Sequence, residues 1–347
     1  MYASPSALRL LAASLALAIF AADASAQVVN PERPTFLRDS AYADADHAAA
    51  LYAPPAAGRS ATLAKVDAAA TLLRRSRDGA LRAAAADTLV AALRRGLASE
   101  WGRAYDWRAV RGISAQRDSA AGWWLLTAQH FVDDSTYRYR GLLYDGARGG
   151  RITELRDSAQ ALGAERDYEL DPDAWYGALY YGVRAFTLAS GKPAWLLFGY
   201  DADGYYHRRK VADVLTFDRR GRPRFGKEVF VGSERDSTGR AARLVLEYRV
   251  DARVGLRYDE ALGGIVFDRL VTGPPVRRGG PPSRIPDGSY DGYVLDAATG
   301  TWRYRMEWFD RVVSPEPPMT PAARAAQEAP VRRDLFGRAR PPRRRGR

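Results

Sequence analysis

Two aspartates stand on apolar strand faces, and acid chemistry would begin with them. In "KVADVLTF", residues 210–217, alternation puts Val211, Asp213, Leu215 and Phe217 on one side, and in "GGIVFDRL", residues 263–270, it groups Val266, Asp268 and Leu270. A carboxylate among apolar side chains must find donors or shift its pKa upward, because burying it unpaired is costly. One outcome is a structural bridge to an arginine such as Arg257 or Arg184, or to backbone amides, and this is the expected one. The other is a pair of acids in a cleft, the arrangement a glycoside hydrolase needs, with carboxyl groups roughly 5 to 9.5 Å apart. Asp213 and Asp268, with Arg257, are the candidate catalytic residues of that second outcome.

Other chemistries fail on their residue sets. Asp201-x-Asp203-Gly204 inside "WLLFGYDADGYY" has the look of a calcium loop. An EF-hand loop, however, needs an oxygen ligand at its fifth position and a Glu at its twelfth. Those positions hold Tyr205 and Ala212, so the segment reads as a four-residue hairpin turn, and neither a metal nor a cofactor is expected. The chain has no cysteine, which excludes disulfides, thiolate zinc sites and cysteine nucleophiles. Three histidines are present. His47 lies in an irregular leader, His130 reads as a partly buried, hydrogen-bonded strand residue, and His207 as an exposed hairpin residue. A serine triad through His130 lacks its Gly-x-Ser-x-Gly elbow, and zincin, phosphate-loop and dinucleotide motifs are missing too.

Aromatic residues form the remaining constellation. Trp123 with Trp124, residues 175–181, Tyr205 with Tyr206, and residues 290–293 could stack on sugar rings, although filling a β core is the commoner use of such side chains. The candidate ligand-binding residues are Tyr205, Tyr206, Tyr290 and Tyr293. The stretch "PDGSYDGY" is the best exposed of them, after a Pro- and Gly-rich segment, "TGPPVRRGGPPSRIPDG", that reads as a rim or a long connection.

The elements that must position these residues emerge from pattern. Residues 1–26 carry one Arg, a short apolar stretch and Ala24-Ser25-Ala26, which reads as a cleavable export signal too short to span a bilayer. Residues 27–58 read as an irregular leader. Residues 59–100 read as a helical hairpin: Ser60 is the expected cap of a helix carrying Leu63, Val66, Ala70 and Leu73, Asp78-Gly79 is the break, and Leu81, Ala85, Leu89, Leu93 and Leu97 line the second helix. So small a pair should pack on the β segment C-terminal to it. Residues 101–313 alternate short aromatic and β-branched runs with Asp-Gly turns, so the fold class is mainly β, an antiparallel meander, with propeller-like, open curled-sheet and sandwich forms all compatible.

The net charge is +12, and half of that excess lies in residues 314–347, a Pro-, Ala- and Arg-rich tail expected to be disordered. The tail reads first as a solvated basic segment; the alternative is attachment to anionic envelope polymers or lipid headgroups, and nucleic acid is not an expected partner of an exported protein.

Five ordered blocks, "DPDAWYGALYYGV", "LLFGYDADGYYHRRKVADVLTFD", "GRPRFG", "LEYRVDARVGLRYDEALGGIVFDRL" and "PDGSYDGY", resemble an uncharacterised family of exported bacterial proteins over roughly residues 105 to 310. The resemblance implies one secreted β-rich unit and carries no activity, cofactor or catalytic residue with it. The functional expectation is a periplasmic or extracellular, non-catalytic binding or scaffold protein of the cell envelope, with an envelope glycan or envelope protein as partner. The alternatives are a carboxylate-dependent, glycoside-hydrolase-like enzyme using Asp213 or Asp268, and electrostatic retention through the tail.

Overall fold

Along the first long strand Trp124, Leu126 and Ala128 point one way, Trp123, Leu125 and Thr127 the other, and all six are buried. A strand buried on both faces must lie in a middle layer. The computed structural model describes residues 58–309 except 134, 159–167, 203 and 235, all within one compact unit, Ser40–Arg347. Residues 1–57, with the expected export signal, the expected leader and His47, and residues 310–347, with the expected tail, lie outside the described residues.

The outermost layer is helical. Helices α1 (Arg59–Arg75) and α2 (Gly79–Ala98) form the hairpin, and a short α3 (Glu100–Ala104) comes after them. Asp78 caps α2 by accepting hydrogen bonds from the amides of Ala80 and Leu81. Gly58, not Ser60, precedes the first turn of α1: its φ of 115° turns the chain in, and its carbonyl accepts from the Thr62 amide and hydroxyl. Val66, Ala70 and Leu73 of α1 join Ala85, Leu89, Leu93 and Leu97 of α2 against Trp124, Leu126, Ala128 and Leu142. Arg82, itself buried, ties α2 down by donating to the carbonyls of Phe131, Val132 and Ser76.

Three sheets stack beneath the helices, broadly in chain order. β1 (Ser114–Asp118), β2 (Trp123–Phe131), β3 (Tyr137–Asp145) and β4 (Arg151–Arg156) make the first, an antiparallel meander. β5 (Leu179–Thr187), β6 (Pro193–Asp201), β7 (His207–Phe217) and β8 (Pro223–Phe225) begin the second. The chain then lays β9 (Phe230–Val231) and β10 (Arg240–Ala241) in the third sheet and returns with β11 (Leu244–Arg249) to complete the second in the order β11-β7-β6-β5. β12 (Leu256–Asp259), β13 (Gly264–Gly273), β14 (Ser283–Asp296) and β15 (Thr301–Phe309) finish the third, and its β9–β15 pair is parallel. No sheet closes into a barrel among the described residues, and no described helix is long and apolar enough to cross a membrane.

Alternation assigns each interface. Trp123, Leu125, Tyr139 and Leu143 of the first sheet meet Trp195, Leu197, Val211 and Leu215 of the second. Leu196, Phe198, Ala212 and Val214, on the other side of the second, meet Ile265, Phe267, Leu270, Tyr293 and Trp302 of the third. The fold is therefore mainly β, four layers deep.

Several elements depart from the pattern-based reading: β1, β8 and β10 lie where alternation marks no strand, and β5 and β14 begin elsewhere than expected. The stretch "WYGALYYGVRAF", residues 175–186, reads as one strand from Trp175, but β5 begins at Leu179, because Gly177 has a φ of 79° and breaks the strand, leaving Trp175 and Tyr176 buried in a loop. β14 begins at Ser283, so "SRIPDG" is strand and not connection, with Ile285 and Pro286 in register with Val271 and Leu270.

Candidate functional site

Asp213 does face inward with Val211 and Leu215, and it is fully buried between the first and second sheets. The Tyr180 hydroxyl donates to its Oδ2 at 2.9 Å, the Val214 amide to its Oδ1 at 2.9 Å, and Arg243 Nε lies 3.4 Å from Oδ1. Tyr180 in turn accepts from the Trp175 indole at 3.0 Å, and Arg243 donates to the carbonyls of Tyr168 and Phe225. The bridge expected for Asp213 thus exists, but its arginine is Arg243. Arg257 pairs instead with Asp259, and Arg184 with Glu260, both at the surface.

A second buried carboxylate lies alongside. Asp201 is the last residue of β6, not a turn residue, and its side chain shares the inward face of Trp195 and Leu197. It accepts from the hydroxyls of Tyr139 at 3.1 Å and Tyr176 at 3.4 Å, and from Arg209 at 3.1 Å. The Tyr139 hydroxyl also accepts from the Ala202 amide at 2.6 Å. Arg243 lies 5.8 Å from the Tyr176 ring, so the two networks touch. Burial first, and the adjacent carboxylates second, push the pKa values of Tyr139 and Tyr180 far up, which locks both hydroxyls as donors. Neither Asp201 nor Asp213 presents an oxygen to solvent, and the networks do structural work. Among the described residues no three His, Asp or Glu side chains gather as a metal site.

Asp268 lies elsewhere. Ile265 and Phe267 point toward the second sheet, so Val266 and Asp268 point the opposite way, on the outer face of the third. Its carboxylate accepts from the Gly255 amide at 2.6 Å, and burial raises its pKa against that hydrogen bond. Asp213 and Asp268 therefore face different layers and share no cleft. Trp308 covers the same outer face, lying so close to Gly264 and Gly292 that a Cβ on either would stand 2.1 Å from the indole.

The candidate tyrosines divide. Tyr293 is a core residue: it stacks on Phe267, meets Phe230 and Tyr304 edge-on, and donates to the Gly232 carbonyl at 2.9 Å. Tyr290 is half-buried within β14, opposite Asp268. Tyr205 is 45% exposed and packs edge-on against Tyr206 at 4.6 Å, with the Arg277 guanidinium 5.9 Å from the Tyr206 ring.

The hairpin end of the second sheet gathers more aromatic surface than its turn alone. Tyr181, the extra residue of a bulge in β5, is 41% exposed and donates to the Leu256 carbonyl at 2.7 Å. Tyr200 stands in register with Lys210 on β7, and the Lys210 ammonium lies 4.6 Å from the Tyr181 ring centre and 5.0 Å from that of Tyr200. Burial lowers the Lys210 pKa. A separate cavity of about 410 Å³ opens beside β10 and β11, lined by Ser233, Asp236, Arg240, Leu244 and Tyr293, with Arg243 in its wall.

His130 is buried under α2, its Nδ1 without a hydrogen-bond partner among the described residues, and His207 is half-buried at the start of β7. Pattern singles out Asp201 only as the first residue of a turn, and Arg243 and Lys210 not at all. The inward parity of Asp201 with Trp195 and Leu197 is a signal that could have found the first. Lys210 shares the parity of Ala212 and Val214, but its type reads as solvated, and Arg243, just before β11, carries no such mark. Comparison of the chain with protein-family models, curated proteins and solved structures finds no match.

Proposed function

We propose that this chain is an exported, non-catalytic binding or scaffold protein of the cell envelope, and that its ligand is an envelope glycan held at the hairpin end of the second sheet. The observation that carries the reading is the placement at that end of two tyrosine pairs, Tyr181 and Tyr200 about Lys210 and Tyr205 against Tyr206, with Tyr181 and Tyr205 each more than two-fifths exposed. Tyrosine offers an apolar face to a sugar ring and a polar tip to its hydroxyls, at little cost in side-chain entropy. Export rests on the first 26 residues, which carry the pattern of a cleaved signal.

The hydrolase alternative has little support in the geometry. Asp213 is consumed by Tyr180 and Arg243, and Asp268 lies on the far side of another sheet. Binding of the full chain to a panel of envelope glycans and to outer-membrane extracts tests the proposal. Saturable binding that weakens at least tenfold in a Tyr181→Ala/Tyr205→Ala variant is the expected result, and no saturable binding to either would refute it.

A further inference from the structure

Lys210 is placed where a lysine is costly. It continues the line of Ala212 and Val214, both wholly buried between the second and third sheets, and stands at the rim of that interface. Tyr181 closes the rim by reaching from β5 to the Leu256 carbonyl of β12, and Tyr248, buried on the neighbouring β11, backs the cluster. The ammonium is held between the faces of Tyr181 and Tyr200, and among the described residues no carboxylate pairs with it. Aromatic faces offset part of the cost of removing a cation from water, but they are neutral, so the positive charge is left without a counter-ion. An oxyanion delivered to this point would meet a cation already stripped of much of its water, in walls that exclude more.

The walls also say what should carry the oxyanion. A free inorganic anion would use the charge alone and leave the exposed Tyr181 ring unused. A pyranose ring bearing an acidic substituent uses both. We propose that Lys210 is the selectivity-determining residue of the glycan surface, and that the ligand is an acidic sugar whose carboxylate or phosphate pairs with the Lys210 ammonium while its ring lies against Tyr181. The inference rests on the glycan reading and adds the class of sugar.

Calorimetric titration of the full-length chain with trigalacturonate, a glucosamine disaccharide 1-phosphate and neutral maltotriose tests it. At least one acidic sugar should bind about tenfold or more tighter than maltotriose, the trigalacturonate and phosphate arms identifying which oxyanion is recognised. Lys210→Met, whose thioether fits between the two rings, should remove that advantage, while Lys210→Arg should keep most of it. Both variants retain the Arg-rich tail, so its unspecific attraction for acidic sugars cancels in the comparison. Thermal melts establish that each variant is folded. Equal affinity for acidic and neutral sugars would overturn the inference and leave the glycan reading standing, as would an advantage that survives Lys210→Met. Failure of all three sugars to bind would overturn the inference, and no saturable binding across the glycan panel and outer-membrane extracts would overturn the glycan reading as well.

Discussion

Replacing His130 with glutamine should flatten the acid side of the stability profile. His130 is 6% exposed, beneath α2, with Arg82 and Asp87 facing it from that helix and Arg138 and Arg140 from β3. Burial, then the charges of Arg140 and Arg82, lower its pKa from 6.5 to about 4. The unfolded chain therefore takes up a proton as pH falls through 6.5, whereas the folded chain resists until about pH 4. The contribution is fully present above pH 6.5, declines as pH falls, and is gone below about 4. A shift of that size corresponds to about 3 kcal/mol across the window. Urea unfolding of both proteins, followed by tryptophan fluorescence from pH 4 to 8, isolates this contribution, because carboxylate titrations are common to both and cancel. The wild type should lose about 3 kcal/mol more than His130→Gln between the ends of the window. Parallel profiles would show that His130 titrates normally and that the packing beneath α2 is wrong.

Two further substitutions probe other layers. Arg243→Met leaves Asp213 buried with only neutral donors and should cost about 3–5 kcal/mol, much of it recovered in the Asp213→Asn/Arg243→Met double variant, as a denaturation double-mutant cycle would show. Gly292→Ala places a methyl 2.1 Å from the Trp308 ring and 2.4 Å from the Ile265 carbonyl, so it should destabilise the third sheet by about 1–3 kcal/mol in a thermal melt, with increased solvent exposure of Trp308.

The strands that pattern located best are those whose two faces have different but equally apolar partners. The stretches "YRYRGLLYD" and "PAWLLFGYD" read as strands from end to end and are β3 and β6, since Leu142 and Leu143, or Leu196 and Leu197, serve opposite interfaces. Trp175 and Tyr176 misled for the same reason: burial without alternation looks like strand, and only the left-handed Gly177 separates the two. Proline concealed the start of β14, although Pro286 needs no amide for its place opposite Leu270. At the site, the inward turn of Asp213 was legible because it depends on local parity. Its partner was not, because Arg243 arrives from a segment 30 residues later that crosses from one sheet to another. Lys210 was hidden by its type: a lysine near a hairpin reads as solvated, and the bulge that brings Tyr181 over it leaves no trace in composition.

The excursion of β9 and β10 before β11 has a mechanical meaning. A chain that completed each layer before starting the next could shed its last layer like a page. Here the final strand of the second sheet is threaded only after two strands of the third have been laid, so neither can peel away while the other stays whole. Under load, or under a protease cutting between β10 and β11, the two should come apart as one event, and a gene fragment ending there would encode a middle layer missing its edge.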